Sequence, residues 1–237
     1  YLRGDNMPKY IIHSCNDRQW YVDQYLVPSM LKQGIAKDDI LVFQDKEGIG
    51  PLKHFLQYME QIQDLPEAAW HLQDDVIICK DFKERTEALD KGIVCGFCDS
   101  YDTDKAIAYN RELAIGETKP EFEWYSLQCI RVPSEIVKGF LYWYNNISVN
   151  DGELIRRYIQ YNKHEDTLLR MYIRGYYPDY PVINLKPNLV DHIDYLLGGS
   201  VVNNQRGIKD VRSLFFEDTD LVQELEEKIR DSREETN

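Results

Sequence analysis

With 237 residues, 43% of them hydrophobic and 29% charged, and a formal charge of −13, the chain has the bulk properties of an ordinary globular protein. No apolar run approaches the roughly 20 residues needed to cross a bilayer, so no membrane span is expected. The acidic balance includes no basic cluster of the kind that grips duplex phosphates, which disfavours nucleic acid as a partner.

Lys9 to Cys15 reads as a buried strand centred on Ile11 and Ile12. A helix follows from about Asp17 to Gln33, stopped by Gly34, and Pro28 predicts a kink or break within it. Ile40-Leu41-Val42-Phe43 is the heart of a second strand. Gly48 to Pro51 is a turn, and Pro51 suits the first turn of a helix. In that helix Leu52, Phe55, Leu56, Met59 and Ile62 recur at helical spacing. Ala68 to Leu72 is a third strand and ends at Asp74-Asp75. This β-α-β-α-β order predicts a parallel sheet with helices on its faces. In such sheets ligands bind beyond the carboxyl ends of the strands.

Further on, Ile93 to Cys98 reads as a strand, and the polar stretch Asp99 to Phe122 as a long loop or hairpin. Leu127 to Val132 is another strand, and Ser134 to Tyr144 a helix with Ser134 as N-cap. Helices are also predicted from Asp151 to about Tyr161 and from Thr167 to Arg174, the latter stopped by Gly175. Glu217 to Asn237 holds nine acids and three bases, nearly half of the excess charge, and reads as a solvated helix with a frayed end. The fold class expected is α/β, with one domain and C-terminal helical additions.

The five cysteines, Cys15, Cys79, Cys95, Cys98 and Cys129, are odd in number and irregular in spacing. That pattern, with no secretory signal pattern at the start, suits reduced thiols and a cytoplasmic location. Cys95-Gly96-Phe97-Cys98 is a lone CxxC; without a second pair it reads as strand residues rather than a zinc site.

The most informative stretch is Trp70 to Ile78, where two apolar runs flank Asp74-Asp75. Adjacent acids in so hydrophobic a setting are costly to desolvate unless a cation or hydrogen-bond donors meet them. A turn with one acid capping a helix and one in solvent is the plain alternative. The position directly after a buried strand favours a site holding a hard divalent cation, Mn2+ or Mg2+, through carboxylate oxygen. In His164-Glu165-Asp166, Asp166 is either the N-cap of the helix at Thr167 or, with Glu165, a candidate general base. His192 lies between two acids in Asp191-His192-Ile193-Asp194, and a neutral imidazole there can complete a metal's coordination. Gly198 to Arg212 is either a solvated loop or a lid whose cations, Arg206, Lys209 and Arg212, close over a diphosphate.

In this order the motifs resemble the GT-A class of nucleotide-sugar-dependent glycosyltransferases, in particular small bacterial and phage-type members, from about Lys9 to Phe216. Gln73-Asp74-Asp75 is similar to the DxD-type motif of that class, with Asp75 implied at the metal and Asp74 beside it. His164-Glu165-Asp166 is similar to its xED motif, with Asp166 implied as base, and His192 stands where a C-terminal His joins the metal. The resemblance implies a nucleotide-binding half over residues 7–100, an acceptor-binding half and lid over 101–216, and an acidic tail over 217–237. It implies transfer of a sugar from a nucleotide-diphosphate sugar, UDP-sugar foremost, to an acceptor carbohydrate or other hydroxyl. His13, Ser14 and Arg18 after the first strand and Asp45 after the second would meet base and ribose. The acceptor-side glycine-rich loop of the class is missing: Glu123-Trp124-Tyr125-Ser126 stands there, and Trp124 and Tyr125 are the acceptor-side candidates. A nucleotidyltransferase would favour a glycine-rich loop after the first strand, which Ser14 to Arg18 lacks. A phage-type DNA-base glycosyltransferase and a non-catalytic scaffold on the same fold are the other readings.

Overall fold

The computed structural model of the protein describes residues 9–65, 68–89, 91–97, 116–118, 127–147, 152–161, 165–198, 213 and 215–234. Its strands, in chain order, are β1 (Tyr10–Cys15), β2 (Ile40–Asp45), β3 (Ala69–Gln73), β4 (Val76–Ile78), β5 (Ile93–Cys95), β6 (Gly116–Thr118), β7 (Cys129–Val132), β8 (Val182–Asn184) and β9 (Val190–His192). The helices are α1 (Gln19–Tyr21), α2 (Val27–Lys32), α3 (Pro51–Ile62), α4 (Phe82–Glu87), α5 (Ser134–Asn145), α6 (Glu153–Tyr161), α7 (Glu165–Tyr176) and α8 (Thr219–Glu234).

The predicted parallel start is present: β1 pairs in parallel with β2 on one side and β3 on the other. The sheet continues to seven strands in the order β2-β1-β3-β7-β5-β8-β6. Strands β7 and β6 run against the rest, so the sheet is mixed but mostly of one direction, as in Rossmann-like α/β folds. Alternation along β1 sends Tyr10 and Ile12 to one face and Ile11 to the other. The first face is covered by α1, α2, α4 and α8, the second by α3, α5 and α7. Both faces are apolar because both are roofed, which explains why the strands read as continuous hydrophobic runs.

The interruption expected at Pro28 is present: a π-type turn, Val22–Leu26, separates α1 from α2, and Pro28 stands in the first turn of α2, where a residue that lacks an N–H and crowds the carbonyl four positions back is accommodated. Three local expectations are revised. Pro133, extended at φ −61° and ψ 145°, is the N-cap of α5, so Ser134 stands inside the helix. Helix α7 begins at Glu165, which places Asp166 within its first turn rather than at its cap. Helix α8 is not a solvated tail: Val222, Leu225 and Ile229 are buried in the first core. Their spacing of three and four residues is an apolar stripe hidden among the acids of that segment.

Strands β8 and β9 lie in segments for which the sequence predicts no strand. Three-residue strands flanked by prolines are too short for an alternating pattern. Strand β9 pairs antiparallel with β4 in a separate two-stranded ribbon. Gly96 lets the approach to β9 pass close: a Cβ there would lie 2.8 Å from Cys129 Sγ and 3.0 Å from Leu189 Cδ1. In its place the backbone of Leu189 donates to the Gly96 carbonyl at 2.7 Å.

Candidate functional site

Strand β3 ends at Gln73, the chain turns through Asp74 and Asp75, and β4 leaves in a new direction. Three contacts hold this corner. Val76 is registered against His192 across the ribbon, the Ile193 amide donates to the Asp75 carbonyl at 2.8 Å, and the buried Tyr21 hydroxyl donates to the Val76 carbonyl at 2.8 Å. Asp191 braces the other side, its Oδ1 accepting from the amides of His192 at 2.9 Å and Ser213 at 2.7 Å. The result brings His192 Nε2 to 3.1 Å from Asp75 Oδ2, with His192 Nδ1 3.6 Å from Asp194 Oδ1.

Arg18, from the turn Asn16–Arg18 that follows β1, reaches into the same place and is only 5% exposed. Its Nη1 donates to Asp75 Oδ2 and lies 3.4 Å from Asp74 Oδ1. Asp74 Oδ2 accepts from the Cys15 amide at 2.8 Å. Each acid is 7% exposed. Burial opposes ionisation of Asp75, but Arg18 and His192 outweigh it and hold its carboxyl well below the usual carboxylate range. Burial and the neighbouring charge of Asp75 push Asp74 the other way, with Arg18 only partly offsetting them. Two carboxylates sharing one guanidinium thus divide into a firmly ionised member and a reluctant one.

The charge is incompletely answered. Among the described residues Asp75 Oδ1 is buried and meets no hydrogen-bond donor. A buried carboxylate oxygen without a partner is expensive. Carboxylate oxygen and imidazole nitrogen are ligand types that a divalent cation such as Mn2+ or Mg2+ takes. Asp75 and His192 are the pair the fold brings together; Asp74 is turned toward Cys15 and Arg18.

The other candidates are spread more widely. Ser14 is buried at the end of β1, where its hydroxyl meets the Cys15 carbonyl at 3.3 Å. His13 points to the opposite face, its ring centroid 4.3 Å from that of His54 and 5.2 Å from that of Tyr58. Burial and His54 lower its pKa to about 3, so it is neutral. Asp45, at the end of β2, holds the loop before α3 through the amides of Ile49 and Gly50, at 3.0 and 3.1 Å. Glu165 is half-buried and its pKa is raised to about 7 by burial, with Asp166 adding to the rise. Asp166 Oδ1 accepts from the Thr167 hydroxyl at 3.3 Å. Trp124, Tyr125, His164, Arg206, Lys209 and Arg212 lie outside the described residues.

No periodicity signals the pairing of Arg18 with the acids, the contact from Tyr21 or the brace from Asp191; the acids flanking His192 are the visible hint of the last.

Among the described residues, the one group of three His, Cys, Asp or Glu side chains close enough to hold a metal ion together is Cys79, Asp81 and Asp218, whose ligand atoms all lie within 4.8 Å of one another. Burial, with Asp81 adding to it, pushes the Cys79 thiol up to about 12, and the Lys80 amide donates to Asp218 at 2.8 Å. This group fastens the start of α8 to the end of β4. Beside it a cleft of about 790 Å³, lined by Tyr21, Tyr25, Ile77, Lys80, Glu84 and Leu225 among others, contains none of the residues assigned from sequence. Among the described residues no helix is long and apolar enough to cross a membrane.

No protein-family model matches the chain, and no curated protein matches it. Among solved structures it is similar to A197 from STIV, at 12% identity, over 79% of this chain and 86% of that one, with a TM-score of 0.43. Likeness at that level bears on neither family nor activity.

Proposed function

We propose that this chain is a metal-dependent glycosyltransferase that moves a sugar from a nucleotide-diphosphate sugar, most simply a UDP-sugar, to an acceptor hydroxyl. The observation that carries the reading is the Asp75 carboxylate: buried beyond the end of a parallel strand, it has one oxygen 3.1 Å from His192 Nε2 and the other without a donor among the described residues. Asp75 and His192 would hold Mn2+ or Mg2+, and the bound ion would supply charge neutralisation for the departing diphosphate. Asp74, fixed by the Cys15 amide, would keep the corner in register. In this reading Ser14, Arg18 and Asp45 edge the nucleotide place, with His13 packed behind it. Arg206, Lys209 and Arg212 are lid cations. Asp166 takes the acceptor proton in an inverting displacement, Glu165 stands beside it as the alternate base, and Trp124 and Tyr125 meet the acceptor. Residues 7–100 form the nucleotide-binding half and 101–216 the acceptor half and lid, in a cytoplasmic enzyme.

The test is a thermal-shift screen of nucleotide diphosphates and their sugars with and without Mn2+, followed by assay of UDP-sugar hydrolysis. Metal-dependent stabilisation by one base family, with hydrolysis, supports the reading. The contact of Arg18 with both acids favours a second one, a non-catalytic scaffold whose acids are already neutralised. Absence of any nucleotide-dependent shift selects it. A phage-type DNA-base glycosyltransferase would add a shift of duplex DNA in a gel.

A further inference from the structure

We propose that Arg18 is the resident counter-cation of the acid pair, and that a divalent metal takes Asp75 only as the Arg18 guanidinium withdraws from it. The inference rests on the metal-dependent reading of the site and adds to it a condition on how the metal is accepted.

Arg18 Nη1 and His192 Nε2 both address Oδ2 of Asp75, and the same Nη1 reaches Asp74 Oδ1 at 3.4 Å. The guanidinium is therefore shared between the two carboxylates rather than paired neatly with one. It is buried, so solvent does not screen it from another cation on the same carboxylate. Two cations on one buried carboxylate repel strongly at such separations. Arg18 also sits three residues beyond the Cys15 amide that fixes Asp74, on the short turn leading to α1. Its backbone is consequently held near the acids while the side chain is long enough to leave them.

A withdrawn guanidinium needs another anion, and a diphosphate matches its planar fork. The exchange has a chemical logic: the metal replaces Arg18 at Asp75, and the diphosphate replaces Asp75 at Arg18. Metal and nucleotide diphosphate would then be accepted together, with weak binding of either alone.

The experiment measures Mn2+ binding by electron paramagnetic resonance of the free ion, with MnCl2 alone and with UDP present, in the wild type and in Arg18→Met. The expected result is Mn2+ affinity at least about tenfold higher in Arg18→Met without UDP, because the competing charge is gone. UDP should strengthen Mn2+ binding in the wild type far more than in the variant. Equal or weaker Mn2+ binding by Arg18→Met overturns the exchange while leaving the metal site standing. No Mn2+ binding by either protein, with or without UDP, overturns both the exchange and the metal-dependent reading. Since removing a buried cation can prevent folding, the wild type provides a second measurement: the side-chain nitrogen resonances of Arg18 during a MgCl2 titration with UDP. They should shift as the site fills; signals that stay unmoved at saturation overturn the proposal.

Discussion

The amide of Ile193 donates to the carbonyl of Asp75 across 2.8 Å, and this backbone bond helps to set where His192 stands. It extends the β4–β9 ribbon by one step beyond the Val76–His192 pair. A side chain one register away would point to the other face of the ribbon. The proximity of imidazole and carboxylate is thus a consequence of strand register.

Asp75→Asn is expected to lower metal-dependent turnover at least about a hundredfold, since a neutral amide is a poor ligand for a hard cation. It should also cost about 3–5 kcal/mol of stability, because Arg18 loses a charged partner in a buried place. Urea unfolding alongside the activity assay separates the two effects. Activity near the wild-type level would remove Asp75 from the chemistry.

Asp166→Ala should reduce kcat by about a hundredfold or more while donor affinity stays within about twofold, as expected for a base acting on the acceptor. Equal losses in both would instead mark a helix-terminal role, which the placement of Asp166 in the first turn of α7 also permits. Glu165→Gln distinguishes the neighbours. With its pKa raised to about 7, Glu165 loses its proton near neutrality, and if it is the base its substitution abolishes the corresponding limb of the pH–rate profile.

His71 is 3% exposed, neither ring nitrogen has a hydrogen-bond partner among the described residues, and burial lowers its pKa to about 3. The unfolded chain takes up that proton near pH 6.5, so between about 6.5 and 3 the unfolded state binds more protons and stability falls as pH falls. His13 acts in the same sense. Asp74 and Glu165, both raised, act in the opposite sense and flatten the net curve. The contribution of His71 is isolated by comparison with His71→Leu. From pH 6 to pH 4 the wild type should lose up to about 1.4 kcal/mol per pH unit more than the variant. Parallel curves from urea unfolding would show that the imidazole is not buried as described.

Truncation before Thr219 should destabilise the protein by about 5 kcal/mol, since it exposes the sites filled by Val222, Leu225 and Ile229. The exposed ion pair of Lys80 with Asp220, at 2.6 Å, is expected to add little. Substituting Asp220→Asn should therefore leave the unfolding midpoint nearly unchanged, whereas Leu225→Ala should lower it clearly, as measured by thermal melting.

Much of the fold was legible in the chain. The apolar runs around Ile11, Val42 and Leu72, separated by helical spacing from Leu52 to Ile62, predict parallel pairing of β1 with β2 and β3, and that pairing is observed. Buried strands need continuous hydrophobicity and helices need a periodic stripe, so each leaves a local mark. The acidic tail misled because its composition masked a narrow stripe. The short strands β8 and β9 left no mark, since three residues cannot display a period.

For the site, sequence alone determined which chemistry was available: paired acids at a strand end and a histidine between acids. Residue type and local spacing are enough for that. Tertiary structure decided the rest: that His192 meets Asp75 while His13 turns to the other face, and that Arg18 occupies the space between the acids. Those outcomes depend on sheet register and on which side chain reaches a buried charge first. Both are set by contacts between segments distant in the chain, which no local pattern encodes.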